Sequence, residues 1–309
     1  MELQNLDPPH PNLLRHFATC QVGDRCYALF PWADGGTLKD LWRSKDLTPR
    51  DAIFIRWCLQ QMHDLVGALE ALHNTNYRHG DIKPDNILYF TSGNPFCDAA
   101  VKQEVLMLAD FGVSRKHIEP TSLRLDGTTT KATTASYEAP ETVSKADLPR
   151  SRQYDMWSTG CVLLEFCVWL LYGCAAVDAF REKRLHATAS YPMNLDASFY
   201  VRLEDREIDE INPAVKKAMK AIRDDQRCGG RTVLGDLLEL IQDDLLLIDA
   251  KKRDSSPKCR VKLSQILSNA SENISYLVKT VDPLPDVPDI FVETKKPQLR
   301  TNLILKHDN

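Results

Sequence analysis

Residues 77–88, which read YRHGDIKPDNIL, limit the possible fold and chemistry of this chain more than any other segment. Lys83 follows Asp81 two positions later, and Asn86 comes just ahead of an apolar run that predicts a strand. In such a loop an aspartate accepts a hydroxyl proton, a lysine neutralises a phosphate and an amide oxygen ligates a metal ion. The spacing therefore predicts a loop that supports phosphoryl transfer.

Two further motifs follow in a fixed order. D-F-G occupies residues 110–112, and A-P-E occupies residues 139–141. In this order and at these separations, the three motifs resemble those of the eukaryotic protein kinase family, of the serine/threonine type. The resemblance covers the chain from about residue 2 to residue 277. It implies an α+β, protein-kinase-like fold, in which a mainly helical large lobe follows an incomplete small-lobe β-sheet.

The resemblance gives each motif residue a role. Asp81 is the candidate catalytic residue that orients the substrate hydroxyl and accepts its proton, and Lys83 neutralises the transferring phosphoryl group. Asn86 and Asp110 are the candidate ligands of Mg²⁺, which requires hard oxygen ligands and bridges the phosphates of ATP. Leu88 is expected beneath the adenine ring. Any one aspartate or asparagine could serve only to form a turn, but the fixed spacing of the set favours the catalytic interpretation.

The substrate is a separate question, because H-G-D with a later asparagine also occurs in aminoglycoside and choline kinases, which share this fold. Two features favour a protein substrate with a serine or threonine acceptor. Lys83 lies at the position typical of protein kinases, and residues 133–141, TTASYEAPE, resemble their T-x-x-Y-x-A-P-E substrate-docking loop. The same resemblance makes Thr134 a third catalytic residue, which bridges Asp81 and Lys83.

A late arginine supports the same interpretation. Arg260, followed by Ile266 and Leu267, resembles the family's arginine that pairs with the A-P-E glutamate, which is Glu141 in this chain. A partly buried ion pair of this kind is costly to break, because one charge is left without its partner. The alternative is that Arg260 is an exposed residue near the start of a helix.

The adenine side of the site is predicted from the linker between the lobes. Aligning G-G-T-L at residues 35–38 with the family's linker makes Phe30 the gatekeeper. The same alignment places the backbone of Trp32 and Ala33 against adenine. A plain strand end with aromatic residues in the core fits the spacing equally well.

Three regions are predicted along the chain. Residues 1–33 form a remnant of the small lobe, with the end of a helix, the hinge, and two strands at 16–22 and 25–32 joined by a Gly-Asp turn. Residues 34–280 form the kinase large lobe. Residues 281–309 hold four prolines and no helical period, so we expect a poorly ordered tail.

Apolar periodicity predicts the main helices of the large lobe. An amphipathic helix is expected over residues 52–73, with others over 213–224, 234–247 and 263–277. Residues 160–177 form an apolar run in which Glu165 is the only charge. A membrane span needs about 20 predominantly apolar residues, and this run follows the D-x-W-S-x-G string of the family. We therefore predict a buried central helix and no membrane partner.

The chain departs from the family pattern in two places. Gly80 stands where most members carry an arginine that pairs with a phosphate on the activation loop, and the absence of that arginine weakens the case for switching by that route. No lysine precedes Lys39 and no G-x-G-x-x-G is present, so the usual phosphate-binding elements of the small lobe are missing. We therefore expect Met1 to be an internal methionine of a longer protein. The alternative is a truncated pseudokinase that acts as a non-catalytic protein-binding module.

Composition narrows the class of partner and compartment. The net charge of −4 and the absence of a basic stripe argue against nucleic acid as a partner. The nine cysteines are scattered without a C-x-x-C pair, which is typical of reduced thiols inside the cell, in the cytoplasm or the nucleus. No basic-then-apolar N-terminal segment predicts secretion.

Overall fold

The structure is a computed structural model, and it describes most of the chain between residues 10 and 293. The described ranges are 10–97, 103–110, 115–116, 135–144, 151–188, 196–203, 208–277, 279, 281 and 284–293, with the backbone alone at 115–116, 135, 143–144 and 208.

The described residues form a mainly helical body with small antiparallel strand pairs, which confirms the predicted α+β class. The helices are α1 (Leu38–Ser44), α2 (Ala52–Asn74), α3 (Glu141–Ser144), α4 (Gln153–Tyr172), α5 (Cys174–Thr188), α6 (Pro213–Asp224), α7 (Val233–Leu240), α8 (Ser256–Glu272) and α9 (Ile274–Leu277). The strand pairs are β1 (Ala18–Val22) with β2 (Arg25–Leu29), β3 (Tyr77–Arg78) with β6 (Arg115–Lys116), β4 (Ile87–Phe90) with β5 (Val105–Leu108), and β7 (Tyr200–Leu203) with β8 (Ile208–Ile211).

The β1–β2 hairpin confirms the predicted turn, with strands shorter than expected. Gly23 has φ +61°, which a glycine adopts without strain and which suits a tight hairpin turn. The two strands are exposed along almost their whole length. Val22, Tyr27 and Leu29 lie on one face of the hairpin, because paired residues and residues two apart along a strand point to the same side.

Helix α2 has the predicted amphipathic character. Asp51 caps its first turn, since the Asp51 carboxylate accepts a hydrogen bond of 2.8 Å from the backbone N–H of Phe54. Its apolar stripe is buried in the core, with Ile55, Leu59, Met62, Val66, Leu69 and Leu72 at intervals of three or four residues. Helix α6 has the bounds that the periodicity predicts, and Pro213 occupies its first turn.

The apolar run at 160–177 is divided between two helices, which corrects the prediction of one. Helix α4 begins seven residues earlier than predicted and is buried along nearly all its length. It ends at Gly173, whose φ of +85° does not continue a helix. The next N–H, of Cys174, donates to Asp46 at 2.7 Å. Among the residues that the structure describes, no helix is long and apolar enough to cross a membrane.

Other helix bounds also differ from the predictions. The helix predicted at 234–247 is α7 followed by a π-helical turn at Ile241–Leu245. The helix predicted at 263–277 starts at Ser256, ahead of Pro257, and breaks at Asn273 before α9. Helix α5 and the β7–β8 pair were not predicted, because their sequences carry no clean helical or alternating apolar period.

Part of the segment predicted as a poorly ordered tail packs into the core. Asp289–Phe291 forms a 3₁₀ turn, and Phe291 is only 2% exposed. The Phe291 ring stacks on Tyr172 at 4.7 Å between centroids and meets Phe180 edge-on at 6.0 Å. This part of the chain therefore belongs to the hydrophobic core, and the expectation of disorder is wrong for it.

Shortening Phe291 should destabilise the fold although it lies near the end of the described chain. We expect Phe291→Leu to lower the free energy of unfolding by about 1 kcal/mol, because leucine keeps an apolar group but loses the ring contacts. Urea unfolding followed by circular dichroism measures the change. Val292→Ala is the matched control, since Val292 is 45% exposed and should change stability by less than about 0.5 kcal/mol. Equal effects of the two substitutions would contradict the packing of Phe291.

Candidate active site

A buried aspartate at the start of α4 holds the loop that carries the first motif. The Asp155 carboxylate accepts hydrogen bonds of 2.8 Å from the backbone N–H of His79 and 2.8 Å from that of Gly80. It also contacts His73 Nε2 at 2.9 Å. Gly80 has φ +85°, a backbone conformation that favours glycine, so its residue type suits the turn that presents both N–H groups to Asp155.

These contacts keep Asp155 charged. Complete burial would raise the pKa of Asp155, but the hydrogen bonds from His73 and from the Gly80 N–H hold it below the usual value. A buried carboxylate that accepts several hydrogen bonds fixes the backbone that donates them. The backbone of residues 79 and 80 is therefore tied to α4, which is buried along nearly all its length.

His79 links this loop to the segment that ends at Asp110. Its Nε2–H donates to the carbonyl oxygen of Ala109 at 2.9 Å, and its Nδ1 accepts from the Asp81 N–H at 3.3 Å. Burial lowers the pKa of His79, in spite of the negative charge on Asp155. A neutral ring is what the two hydrogen bonds require, because a protonated Nδ1 could not accept.

We expect the protein to lose stability as the pH falls below about 6.5, the ordinary pKa of histidine. His79 is neutral when folded and takes up a proton when unfolded, so the unfolded state binds more protons and stability rises with pH. Urea unfolding at a series of pH values from about 5 to 7.5 measures this slope. His79→Gln should reduce it. Burial also lowers the pKa of His10, so His10→Gln should reduce it independently. An unchanged slope in His79→Gln would contradict the neutral, buried ring.

The structure brings Asp81, Lys83 and Asn86 together. Asp81 is 8% exposed, and its Oδ2 accepts from Lys83 Nζ at 2.7 Å and from Asn86 Nδ2 at 2.9 Å. The same amide nitrogen donates to the Asp81 carbonyl at 2.8 Å. A short 3₁₀ turn, Pro84–Asn86, brings Asn86 back to Asp81. The carboxylate is thus held in place by its two neighbours.

The position of Asn86 leaves its amide oxygen available as a ligand. Because Nδ2 donates twice to Asp81, Oδ1, on the opposite side of Cγ in the amide plane, is directed away from those two acceptors. The backbone carbonyl of Asn86 also accepts a hydrogen bond of 2.9 Å from the N–H of Ala109. Asp110, the next residue, is therefore near Asn86 in space. Asp110 is exposed and has φ +61°, an uncommon conformation for a residue with a side chain.

The donor chemistry of Asn86 and Asp110 fits Mg²⁺. Both supply hard oxygen atoms, and Mg²⁺ is usually bound through one or two carboxylates together with substrate phosphates and water. Within the described ranges there is no cluster of three or more histidine, cysteine, aspartate or glutamate residues that could hold a metal. Asn86 and Asp110 would thus supply two oxygen ligands and leave the other positions to phosphate oxygens and water.

On the adenine side, the linker lies along β4. The Gly35 N–H donates to the Tyr89 carbonyl at 3.0 Å, and the Tyr89 N–H donates to the Gly36 carbonyl at 2.9 Å. A Cβ on Gly35 would collide with the Tyr89 ring, so this close approach requires glycine. Ala33 and Leu88 pack on the same small apolar cluster, which comprises Leu14, Phe90, Met107 and Ala109.

Phe30 and Trp32 lie farther out. Phe30 is 50% exposed and meets His16 edge-on at 6.0 Å, and Trp32 is 88% exposed. The cluster thus brings together two of the four residues predicted on the adenine side, Ala33 and Leu88. The assignment of a gatekeeper and of hinge hydrogen bonds stays a prediction.

The partner of Glu141 corrects the sequence prediction. Arg260 pairs instead with Glu70 on α2, at 2.9 Å. Glu141 is paired with Arg253, whose Nη1 and Nη2 donate to the two carboxylate oxygens at 2.7 and 2.8 Å. Thr134, the third predicted catalytic residue, lies outside the described residues.

Three important residues of this site were not identified from the sequence: His73, Asp155 and Arg253. Asp155 offered a signal, as a charged residue at the start of an apolar helix. Arg253 offered little, because it follows two lysines in a polar segment that reads as an exposed turn. Yet its guanidinium is fully buried.

Comparison with known proteins finds related sequences. The family model described as "Protein kinase domain" matches residues 2–229. The chain is 30% identical over 163 residues to mitogen-activated protein kinase kinase kinase 3 of Arabidopsis thaliana, covering 53% of this chain and 22% of that protein. It is 30% identical over 156 residues to serine/threonine-protein kinase RUNKEL of Arabidopsis thaliana, covering 50% and 10%. It is 31% identical over 166 residues to serine/threonine-protein kinase Sgk1 of Homo sapiens, covering 53% and 32%. The matches thus span only a minor part of each relative's length.

Proposed function

Because the chain belongs to the protein kinase family, we propose that it transfers the γ-phosphoryl group of ATP, with Mg²⁺, to a serine or threonine hydroxyl of a protein. The observation that carries this proposal is the arrangement of Asp81, Lys83 and Asn86 around one carboxylate oxygen. The names of the similar proteins, which are serine/threonine kinases, support the acceptor class.

The chain's own residues supply the proposed steps. Asp81 Oδ2 is held by Lys83 and Asn86, so the substrate hydroxyl can be oriented toward the carboxylate and can give up its proton there. Lys83 Nζ, 2.7 Å from Asp81, is close enough to place a positive charge beside the transferring group. Oδ1 of Asn86 and the carboxylate of Asp110 would hold Mg²⁺, which neutralises charge on the phosphates when bound.

Positioning by the protein accounts for most catalysis of phosphoryl transfer. Asp155 and His79 provide that positioning, since they tie the catalytic loop to α4 and to Ala109. Ala33 and Leu88 offer an apolar surface for the adenine ring. We propose Thr134 as a further catalytic residue on the resemblance alone.

The direct test is transfer of labelled phosphate from ATP to serine/threonine peptides by the purified chain. We expect label on serine or threonine in the presence of Mg²⁺ and none when a chelator removes the metal. Peptides in which tyrosine is the acceptor should remain unlabelled. Transfer to a small alcohol but to no peptide would contradict a protein substrate.

A non-catalytic protein-binding function is the second candidate, because few of the described side chains are buried between the β1–β2 hairpin and the rest of the site. The β1–β2 hairpin is exposed on both faces, and Trp32 is almost fully exposed. A non-catalytic protein-binding module would bind Mg·ATP weakly or not at all and would transfer no phosphate. Calorimetric titration with Mg·ATP, run beside the transfer assay, separates the two candidates: a kinase should bind Mg·ATP and transfer phosphate, whereas a binding module should show weak or no binding and no transfer.

A further inference from the structure

A buried ion pair lies between the central helix and α5, away from the catalytic loop. Glu165 on α4 is 2% exposed, and Arg184 on α5 is completely buried. Arg184 Nη2 donates to Glu165 Oε1 at 2.7 Å. The other carboxylate oxygen, Oε2, accepts a hydrogen bond of 2.8 Å from the hydroxyl of Tyr137. The pair therefore ends on a residue of the A-S-Y-E-A-P-E segment.

The guanidinium of Arg184 is held by hydrogen bonds from Nη2 and Nε and by two aromatic rings, whereas its Nη1 is buried without a hydrogen-bond partner among the described residues. The guanidinium carbon lies 4.3 Å from the centre of the Phe180 ring and 4.0 Å from that of the Phe199 ring, and these two rings are nearly perpendicular to each other. Its Nε donates to the carbonyl of Ala197 at 3.0 Å. Asn212 in turn donates to the carbonyls of Arg184 and Ser198, at 3.2 and 2.9 Å. A planar guanidinium with directed donors fixes its partner in a way that lysine cannot.

The position of Tyr137 depends on this ion pair, because its hydroxyl donates to Glu165. Burial raises the pKa of Tyr137 well above the usual value, and the Glu165 charge adds to the effect, so the side chain stays a neutral donor. Its ring lies 6.0 Å from that of Phe199. Its carbonyl oxygen accepts from Ser158 Oγ at 2.8 Å. Both ends of the residue are therefore anchored to α4.

The same turn of α4 holds the catalytic loop. Asp155, three residues before Ser158, accepts from the N–H groups of His79 and Gly80, and residues three apart share one face of a helix. Segment 135–141 and the loop of Asp81 are thus fixed side by side. We therefore expect a polypeptide whose hydroxyl reaches Asp81 to contact this segment.

Stability alone does not account for such a pair. Replacing a buried ion pair by apolar residues of similar volume is often neutral or stabilising, because both charges must be removed from water. What the pair adds is a defined position for its partner. We propose that Arg184 is a positioning residue for the protein substrate, which acts through Glu165 to hold Tyr137 and segment 135–141 beside the catalytic loop. This inference rests on the proposed kinase function.

Two conservative substitutions test it. Arg184→Lys keeps the charge but loses the planar fork, and Tyr137→Phe removes only the hydroxyl that reaches Glu165. We expect each to raise the KM for a peptide substrate about tenfold or more, because small misplacements of a substrate are costly. The KM for ATP should stay within about twofold, since neither residue borders the adenine cluster.

Ile266→Ala is the control for loss of stability. Ile266 lies on α8 and is buried, and its truncation leaves a cavity without touching the Arg184 network. It should lower the melting temperature without changing the KM for peptide. If Arg184→Lys and Ile266→Ala had the same kinetics at equal loss of stability, or if the KM for ATP rose as much as that for peptide, Arg184 would be structural only.

Hydrogen exchange gives a readout that needs no activity. Amides of residues 135–144 should exchange faster in Arg184→Lys and in Tyr137→Phe, whereas those in the middle of α4 should keep their protection. Wild-type protein without phosphoryl transfer would refute the proposed function, and the exchange result would still decide whether Arg184 positions the segment. Unchanged exchange at 135–144 in both variants would overturn the inference.

Discussion

Replacing Asp81 with asparagine should slow phosphoryl transfer by about 10²- to 10⁴-fold, the range typical of losing a general base. Asparagine keeps the size of the side chain and one oxygen that can accept from Lys83 or Asn86. It cannot accept the hydroxyl proton. Single-turnover transfer to a serine/threonine peptide measures the loss, and near-ultraviolet circular dichroism confirms that the variant is folded.

Asp85 provides a matched control four residues away in the same loop. Its carboxylate is 46% exposed and pairs with Lys39 at 2.8 Å. Exposed ion pairs contribute at most about 1 kcal/mol, so Asp85→Asn should leave both folding and the transfer rate nearly unchanged. A similar loss of rate in the two variants would mean that loop charge in general, and not the carboxylate of Asp81, supports the reaction.

The core of the candidate site could be predicted because its residues are close in sequence. Asp81, Lys83 and Asn86 lie within six positions, so one short turn is enough to bring them together. Their spacing carries most of the geometric information. Asp110 comes near these residues because the N–H of Ala109 donates to the backbone carbonyl of Asn86, beside the paired strands β4 and β5.

The residues that support the site come from distant parts of the chain and left weaker signals. Asp155 on α4 contacts the backbone of residues 79 and 80, and His73 on α2 contacts Asp155, so both contacts join parts of the chain that are distant in sequence. Their roles depend on long-range packing, which a local pattern of apolar residues does not specify. Helix bounds are equally hard to predict from apolar residues alone. The positive φ of Gly173 ends α4 within an apolar run that is continuous in the sequence.

The conformation of residues 289–291 also depends on long-range contacts. The sequence around Phe291 is rich in proline and acidic residues, which is typical of disordered segments. One aromatic side chain between Tyr172 and Phe180 is enough to fix a short turn there. Composition describes the average of a segment and misses a single anchoring residue.

Arg253 is the position where sequence and structure make opposite, measurable predictions. The Arg253 guanidinium is fully buried, and the Glu141 carboxylate accepts hydrogen bonds from both of its terminal nitrogens. Its donors also reach the carbonyls of Gln153, Leu247 and Ile248. Arg253→Met leaves Glu141 and these carbonyls without their donor, so we expect the free energy of unfolding to fall by about 3–5 kcal/mol.

Arg260→Met is the matched control, because the sequence alone assigned the Glu141 pair to Arg260. The Arg260 side chain is 40% exposed and pairs with Glu70. Loss of such a partly exposed pair should cost about 1 kcal/mol or less. Urea unfolding of the two variants, compared at an unchanged m-value, separates the assignments. A larger loss of stability for Arg260→Met would support the pairing predicted from the sequence. A larger loss for Arg253→Met would support the Arg253 pair. Replacing Glu141 with leucine as well should then recover part of that loss, because the double variant leaves no unpaired charge.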